Sequence, residues 1–403
     1  MQTTFAAAAE DDTALRRATL SGVCANLVGI GLARFAYTPL IPALILAGWF
    51  SPTQAAYLGA ANLAGYLAGA LLARPLVSRM TPATLLRGAM LLTAASFPAS
   101  AYPLSFAWFF AWRFAAGLGG GALMVVAAPV ILRQVPVRQR GIVSGVIFAG
   151  IGLGIAASGT LVALLLRYGL VVTWNVLGIV ALLLTALAWN GWPHASEREV
   201  AAPVSASPGV RSDAALRALH IGYGLAAVGL VPPMVFLVDF IARANHLGVE
   251  AGARYWTLFG FAAIAGPVLL GSIADRIGFR PTLRALFVLD AGTLVLLALT
   301  SQPAALVASV IILGASVPGV VPLAVGRVHE LVHAEPQRRH AWTVCTVAFA
   351  IGQAAAAYGF SYLFAKTGGA FVMLFVIGAG AFTLALLIDV AVAAFARSPK
   401  LST

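Results

Sequence analysis

Residues 104–132 read LSFAWFFAWRFAAGLGGGALMVVAAPVIL, an apolar stretch interrupted by a single charge, Arg113. About 20 such residues carry a helix across the hydrocarbon core of a bilayer. A membrane-spanning β-strand would alternate polar and apolar residues, and this stretch does not. It is therefore a spanning helix with a cation well inside it. A guanidinium at that depth costs about 2.5–3.5 kcal/mol on insertion scales and faces a cavity or a partner. From Thr13 to Ser196, 184 residues hold no Asp or Glu, so this half of the chain supplies no carboxylate. Either backbone carbonyls or the second half satisfy Arg113, or a visiting anion does.

The rest of the 403-residue chain has the same character: 61% hydrophobic and 9% charged, against about 25% charged residues in soluble domains. The class is an all-α polytopic membrane protein. A net charge of +12 would suggest nucleic acid in a soluble protein. Here the cations occupy short loops between apolar segments, without stacking aromatics interleaved, and nucleic-acid binding is not expected. Cys24 and Cys345 each lie within an apolar segment and read as small packed side chains. The N-terminus carries acidic residues before Arg16 and Arg17 and lacks a signal-peptide pattern, so no cleavage is expected.

Twelve spans follow, at about 20–46, 54–73, 83–101, 104–132, 141–166, 170–192, 216–238, 253–274, 281–300, 304–328, 341–365 and 369–396. With a cytoplasmic N-terminus, 19 of the 25 Lys and Arg residues fall on the cytoplasmic side. Four (Arg167, Arg243, Arg254 and Lys366) fall outside, and Arg34 and Arg113 lie in the membrane. This asymmetry orients both termini to the cytoplasm. Residues 193–215 form the one long polar stretch, a linker between a bundle at 1–192 and a second at 216–403. The halves echo each other: displaced by 197 positions, Ala68-Gly69 meets Ala265-Gly266, Arg79 meets Arg276, and Leu86-Arg87 meets Leu283-Arg284. Two related bundles with a substrate site between them is the plan of an alternating-access carrier.

The segment Gly271-Ser-Ile-Ala-Asp275-Arg276-Ile-Gly278-Phe-Arg280, between spans 8 and 9, resembles the loop motif G-x-x-x-D-R-x-G-x-R of the major facilitator superfamily. The resemblance implies two pseudo-symmetric six-helix bundles. It also implies that Asp275, Arg276 and Arg280 latch neighbouring helix ends in one conformation and release them in another. The corresponding first-half loop keeps Arg79 but has Ser78 where Asp275 stands and Arg74 where Gly271 stands, which implies a weaker or differently built latch there.

In span 4, Arg113 is followed four residues later by Gly117, similar to the superfamily's span-4 motif and implied in proton or substrate coupling. Gly117 and Gly121 also permit close approach of a neighbouring helix, as do the two GxxxG spacings of span 5. Span 5 is similar to the antiporter branch of the superfamily but carries Ile151 and Ile155 where that branch has Pro and Gly. Span 1 contains Gly31-Leu-Ala-Arg34-Phe35-Ala-Tyr37-Thr38-Pro39-Leu-Ile-Pro42, which looks like the signature of the bacterial YbfB/YjiJ-like branch. That branch implies a multi-pass transporter of the bacterial inner membrane and names no substrate.

Arg34 lies about 21 Å into its helix at 1.5 Å per residue, too deep to snorkel. On a regular helix Arg34 and Thr38 share a face, with Asn26 two turns earlier on the same side. Pro39 and Pro42 are expected to kink the outer end and free carbonyls. The expected substrate site is Asn26, Arg34, Tyr37, Thr38, Tyr66, Arg113 and Tyr223, the guanidiniums giving charge-assisted hydrogen bonds and the tyrosines an amphipathic lining. Asp239, with Arg243 one turn on, and Asp290, mid-span, are the proton-coupling candidates, each with a structural reading beside it: an interfacial ion pair for the first and a packing role for the second. His329 and His333 have ligand-like spacing, but no Cys accompanies them, and neither a metal nor a cofactor is expected.

The leading expectation is a monomeric, proton-coupled secondary transporter of a small organic anion in the lipid bilayer. The alternative is proton-coupled efflux of hydrophobic or drug-like compounds, which calls for an acidic residue in the first-half cavity. An enzyme would need carboxylates or histidines at a loop boundary, yet the outer loops at 48–52, 102–103 and 301–303 carry no charge. No phosphate-binding loop is present either, so an enzyme is not expected.

Overall fold

A computed structural model describes residues 2–136, 140–193 and 214–397. The proposed linker therefore lies almost wholly outside the described residues, as do Arg138, Arg198, Arg211 and Lys400. Every described segment predicted to span is helical, and no strand occurs among the described residues. Eleven helices there are long and apolar enough to cross a membrane. The remaining predicted span, span 3, is Pro82–Ala99, an 18-residue helix carrying Arg87 in its second turn.

Several helices outrun the apolar stretches that announce them. Span 8 runs over Gly248–Ile277 and span 11 over Glu335–Lys366, each gaining polar turns at its ends. Hydropathy marks the lipid-embedded part of a helix, whereas hydrogen bonding carries it further into the interface. The starts of spans 3 and 4 are set by local chemistry. Thr81 Oγ1 accepts from Thr84 N ahead of Pro82, and Ser105 Oγ accepts from Trp108 N at 3.1 Å.

Contacts gather the chain into two compact units, Met1–Ala202 with Leu237–Ile264, and Pro203–Phe236 with Ala265–Thr403. The division thus cuts spans 7 and 8. In the first unit, Pro52–Val77 (span 2) and Phe106–Leu132 (span 4) meet along a reciprocal glycine seam. A Cβ on Gly65 or Gly69 would stand 2.0 Å from Phe114 O or Leu118 O, and one on Gly117 or Gly121 would stand 2.0 or 2.1 Å from Asn62 O or Tyr66 O. Gly31 of span 1 and Gly154 of Arg140–Leu165 (span 5) approach as closely, a Cβ on Gly31 falling 2.6 Å from Gly154 Cα. Of the span-5 spacings, Gly150/Gly154 therefore faces a helix, while Gly145 faces open space.

The second unit holds Ala214–Val235 (the first part of span 7), the end of span 8, Phe279–Leu299 (span 9), Pro303–Leu331 (span 10), span 11 and Phe371–Arg397 (span 12). Spans 9 and 12 are joined at one end by Asp389, whose carboxylate binds Arg280 Nε at 3.2 Å and also Arg284 Nε. Its backbone oxygen accepts from both guanidiniums as well.

Candidate functional site

Span 1 is not a regular helix. After Gln2–Asn26 its hydrogen bonds reach five residues back, Ala33 N to Val28 O at 3.1 Å and Phe35 N to Ile30 O at 3.3 Å. Leu27–Leu32 is π-helical, and the α-helix resumes at Tyr37–Leu46. Beyond the break, Pro39 has no N–H for Phe35 O and Pro42 has none for Thr38 O. The wide turns change which side chains share a face. Asn26, expected on the side of Arg34, turns instead to span 5, where Nδ2 donates to Ile147 O at 2.9 Å. Thr38 is buried on the resumed helix.

Arg113 lies against this break and is 3% exposed. Its Nη1 donates to Ala33 O at 2.7 Å, and its Cζ sits 4.2 Å from the centroid of the Tyr37 ring, within cation–π range. Its Nε is buried with no hydrogen-bond partner. Among the described residues Arg113 forms no ion pair. Tyr37 is held for this contact by its hydroxyl, which donates to Ala55 O at 2.9 Å. Arg34 is half-buried beside it, its Cζ 5.3 Å from the Phe35 ring centroid and 5.6 Å from that of Tyr66. Six of the seven expected substrate residues thus belong to the first unit, and Arg34, Tyr37, Tyr66 and Arg113 form one cluster of cations and aromatic faces.

The fold also brings a carboxylate that chain order keeps distant. Asp239, on the short helix Leu237–Asp239, belongs to the same unit as Arg113 and is buried, within electrostatic range of Tyr37. Both its oxygens accept from Arg243, one from Nε and one from Nη2. The i,i+4 pair read from the sequence is therefore present, and it consumes the charge that could have met Arg113.

Two further residues of this unit escaped the sequence reading. Asn62 is buried and its Nδ2 donates to the backbone oxygen of Arg113 at 3.2 Å, fixing the height of span 2 against span 4. Trp256 is fully buried, its Nε1 3.1 Å from Phe35 O and 3.2 Å from Ser158 Oγ. The one sequence signal for Trp256 was indirect: Pro39 marks Phe35 O as a carbonyl in need of a donor.

The remaining expected site residues, Arg79 apart, lie in the second unit. Tyr223 packs on Phe349, with ring centroids 4.7 Å apart, and lines a cleft with Arg280, Arg284 and Asp389. Asp290 is buried between spans 9 and 10 and accepts from Ser316 Oγ at 2.6 Å. Of the expected latch, Arg280 is held by Asp389. Asp275, Arg276 and Arg79 form no ion pair among the described residues.

A family model described as "Uncharacterised MFS-type transporter YbfB" matches residues 26–390. Among curated proteins, none matches the sequence. Solved structures of similar fold include a D-xylose-proton symporter, at 16% identity over 92% of this chain and 96% of that one, with a TM-score of 0.74. The xylose transporter XylE from E. coli, in a partially occluded inward-open conformation, is 16% identical over 97% of this chain and 100% of its own, with a TM-score of 0.72. A bacterial homolog of the human lysosomal transporter Spinster, inward-facing and unoccupied, is 15% identical over 96% of each chain, with a TM-score of 0.66. These likenesses agree in fold with the all-α, two-bundle architecture, and the family match makes the protein a multi-pass membrane transporter of small molecules and not an enzyme. The glycine seams, the broken first span and the arginine of span 4 are thus features of a chain that belongs to the YbfB-type family of the major facilitator superfamily.

Proposed function

We propose that this secondary transporter carries a small organic anion, a carboxylate or phosphate compound, coupled to protons, with Arg113 and Arg34 as its anion ligands. The observation that carries the reading is Arg113: a buried guanidinium that donates to one carbonyl and lies over one aromatic face, with a buried Nε without an acceptor and, among the described residues, no ion pair. Burying an uncompensated cation is costly, and an anion delivering two charge-assisted hydrogen bonds offsets that cost. Tyr37 and Tyr66 supply amphipathic faces beside it. Asn26, Thr38 and Tyr223 complete the proposed set at one remove, Asn26 by tying span 1 to span 5.

The moving bodies in this reading are the repeat halves, 1–192 and 216–403, with Asp275, Arg276 and Arg280 at the junction of spans 8 and 9, together with Arg79, latching one end. The charge asymmetry supports both termini in the cytoplasm of a bacterial inner membrane. Asp290, buried at mid-span and accepting from the Ser316 hydroxyl, is the proposed proton carrier, and Asp239 is the second candidate. A monomer is the proposed working state. Proton-coupled efflux of hydrophobic or drug-like compounds is the competing reading, and the presence of Asp239 in the Arg113 unit favours it. Its bidentate pair with Arg243 leaves no free negative charge for a cationic solute.

The test is uptake and efflux of a panel of labelled organic anions in proteoliposomes, with and without a pH gradient. Arg113→Ala and Arg34→Ala are expected to lower flux at least tenfold. Asp290→Asn is expected to keep exchange and lose gradient-driven accumulation. Unchanged flux in both arginine variants ends the anion reading, and drug-resistance profiling of a deletion strain then examines the efflux alternative.

A further inference from the structure

Residues 237–264 belong by sequence to spans 7 and 8, yet they pack as part of the unit that holds Arg34 and Arg113. The two points where this segment leaves the other unit are both weakened by proline. Pro232 and Pro233 precede Leu237, and Pro267 follows Ile264. Each proline removes a helix hydrogen bond and loosens the turn before it. The segment is thus a helical hairpin with a soft joint at either end.

Its contact with the first unit is made in two ways. Along spans 5 and 8, small residues allow backbone to meet backbone: a Cβ on Gly260 would fall 2.2 Å from Ala156 N, and one on Gly159 would fall 2.7 Å from Thr257 N. At the centre of this seam stands Trp256. Because Pro39 cannot donate to Phe35 O, that carbonyl has lost its helical partner, and the indole Nε1 supplies the missing hydrogen at 3.1 Å. The Trp256 ring stacks on Phe259 at 4.7 Å and packs against Phe35 at 6.0 Å, and the Phe35 ring in turn lies beside the Arg34 guanidinium.

We propose that Trp256 is the latch of a gate formed by residues 237–264, which closes over the Arg34–Arg113 cluster at the end of span 1 away from the N-terminus. The hydrogen bond to Phe35 O exists only while the hairpin lies on the first unit. Opening the gate strands a carbonyl that its own helix cannot satisfy. The contact therefore holds the closed state and orients the Phe35–Arg34 pair, so that Trp256 acts on the cluster as a positioning residue. The inference rests on the alternating-access reading of the protein and is independent of the charge of its solute.

The test uses full-length protein in proteoliposomes with no solute added. Cys24 is replaced by Ala, native Cys345 is retained, and Ser158→Cys introduces a reporter at a position that is wholly buried beside the indole. Alkylation by a maleimide is then compared between this protein and the same protein carrying Trp256→Phe, which keeps a ring and loses the N–H. The reporter at position 158 is expected to react about fivefold faster in the Trp256→Phe background, the weight of one neutral hydrogen bond. Cys345, buried in the other unit, is expected to react at an unchanged rate. Equal reporter rates with and without the indole N–H would overturn the latch, as would a parallel rise at Cys345, which would mean general loosening. No solute enters the measurement, so an anion reading that fails leaves this result standing, and the converse also holds.

Discussion

Gly117→Ala is the sharpest perturbation available, because one methyl group reports on both the fold and the site. The new Cβ would stand 2.0 Å from Asn62 O, and contacts under 3.0 Å are essentially never seen for real Cβ atoms. Spans 2 and 4 must therefore part by at least 1.0 Å, the difference between those two values. The obstructing atom is backbone, so no side-chain rotation relieves it. Overpacking of this kind costs about 1–3 kcal/mol, and a backbone obstruction places this case near the top of that range. The same opening stretches the Asn62 Nδ2 contact to Arg113 O, already 3.2 Å long, beyond hydrogen-bond range, which adds about 1 kcal/mol. The expected loss is about 3–4 kcal/mol. Equilibrium unfolding of the purified protein in mixed detergent micelles measures it. Gly88→Ala is the control: no atom lies within 4 Å of its Cβ position, and replacing an exposed helical glycine there is neutral or stabilising by about 0.5–1 kcal/mol. Should Gly117→Ala prove as stable as the Gly88 variant, the close seam between spans 2 and 4 is refuted, and with it the support that holds Arg113 at its height.

Two other substitutions probe the polar groups of the same unit. Asp239→Ala leaves Arg243 with a stranded charge and is expected to destabilise by about 3 kcal/mol, whereas Asp239→Leu combined with Arg243→Leu should recover most of that loss. Thermal unfolding of the single and double variants checks this, and equal losses in both would show that the pair does not act as a unit. Tyr37→Phe keeps the ring under Arg113 but removes the bond to Ala55 O, with an expected cost of about 1 kcal/mol in the same assay and solute affinity within threefold of the parent. A tenfold loss of affinity would instead make the Tyr37 hydroxyl a direct ligand.

Much of the molecule is written in short-range pattern. Each span is announced by the length of its own apolar run, and the depth of Arg113 by its position within one run. Gly117 and Gly121 predict a close helix neighbour because four-residue spacing places both on one face, and the seam with span 2 is where they are used. The ion pair of Asp239 with Arg243 is similarly local, four residues apart on one helix. Where the reading depended on regular helix geometry across a break, it went astray. The π turns at 27–32 rotate Asn26 away from Arg34 and onto the span-5 carbonyl of Ile147.

The sequence by itself determined that this chain spans a bilayer as helices, where those helices run, and that a cation lies deep among them without a neighbouring carboxylate, because cost of transfer into lipid depends on composition and length alone. Tertiary structure decided which groups meet. It brought Asp239 into the unit of Arg113 while leaving its charge with Arg243, set Asn62 beneath span 4, put Tyr223 with the Asp389 cluster, and gave the carbonyl freed by Pro39 to Trp256. Phe35 and Trp256 stand 221 positions apart, and no local period relates them. Their meeting depends on how the helices rotate and pack against one another, which is a property of the assembled bundle.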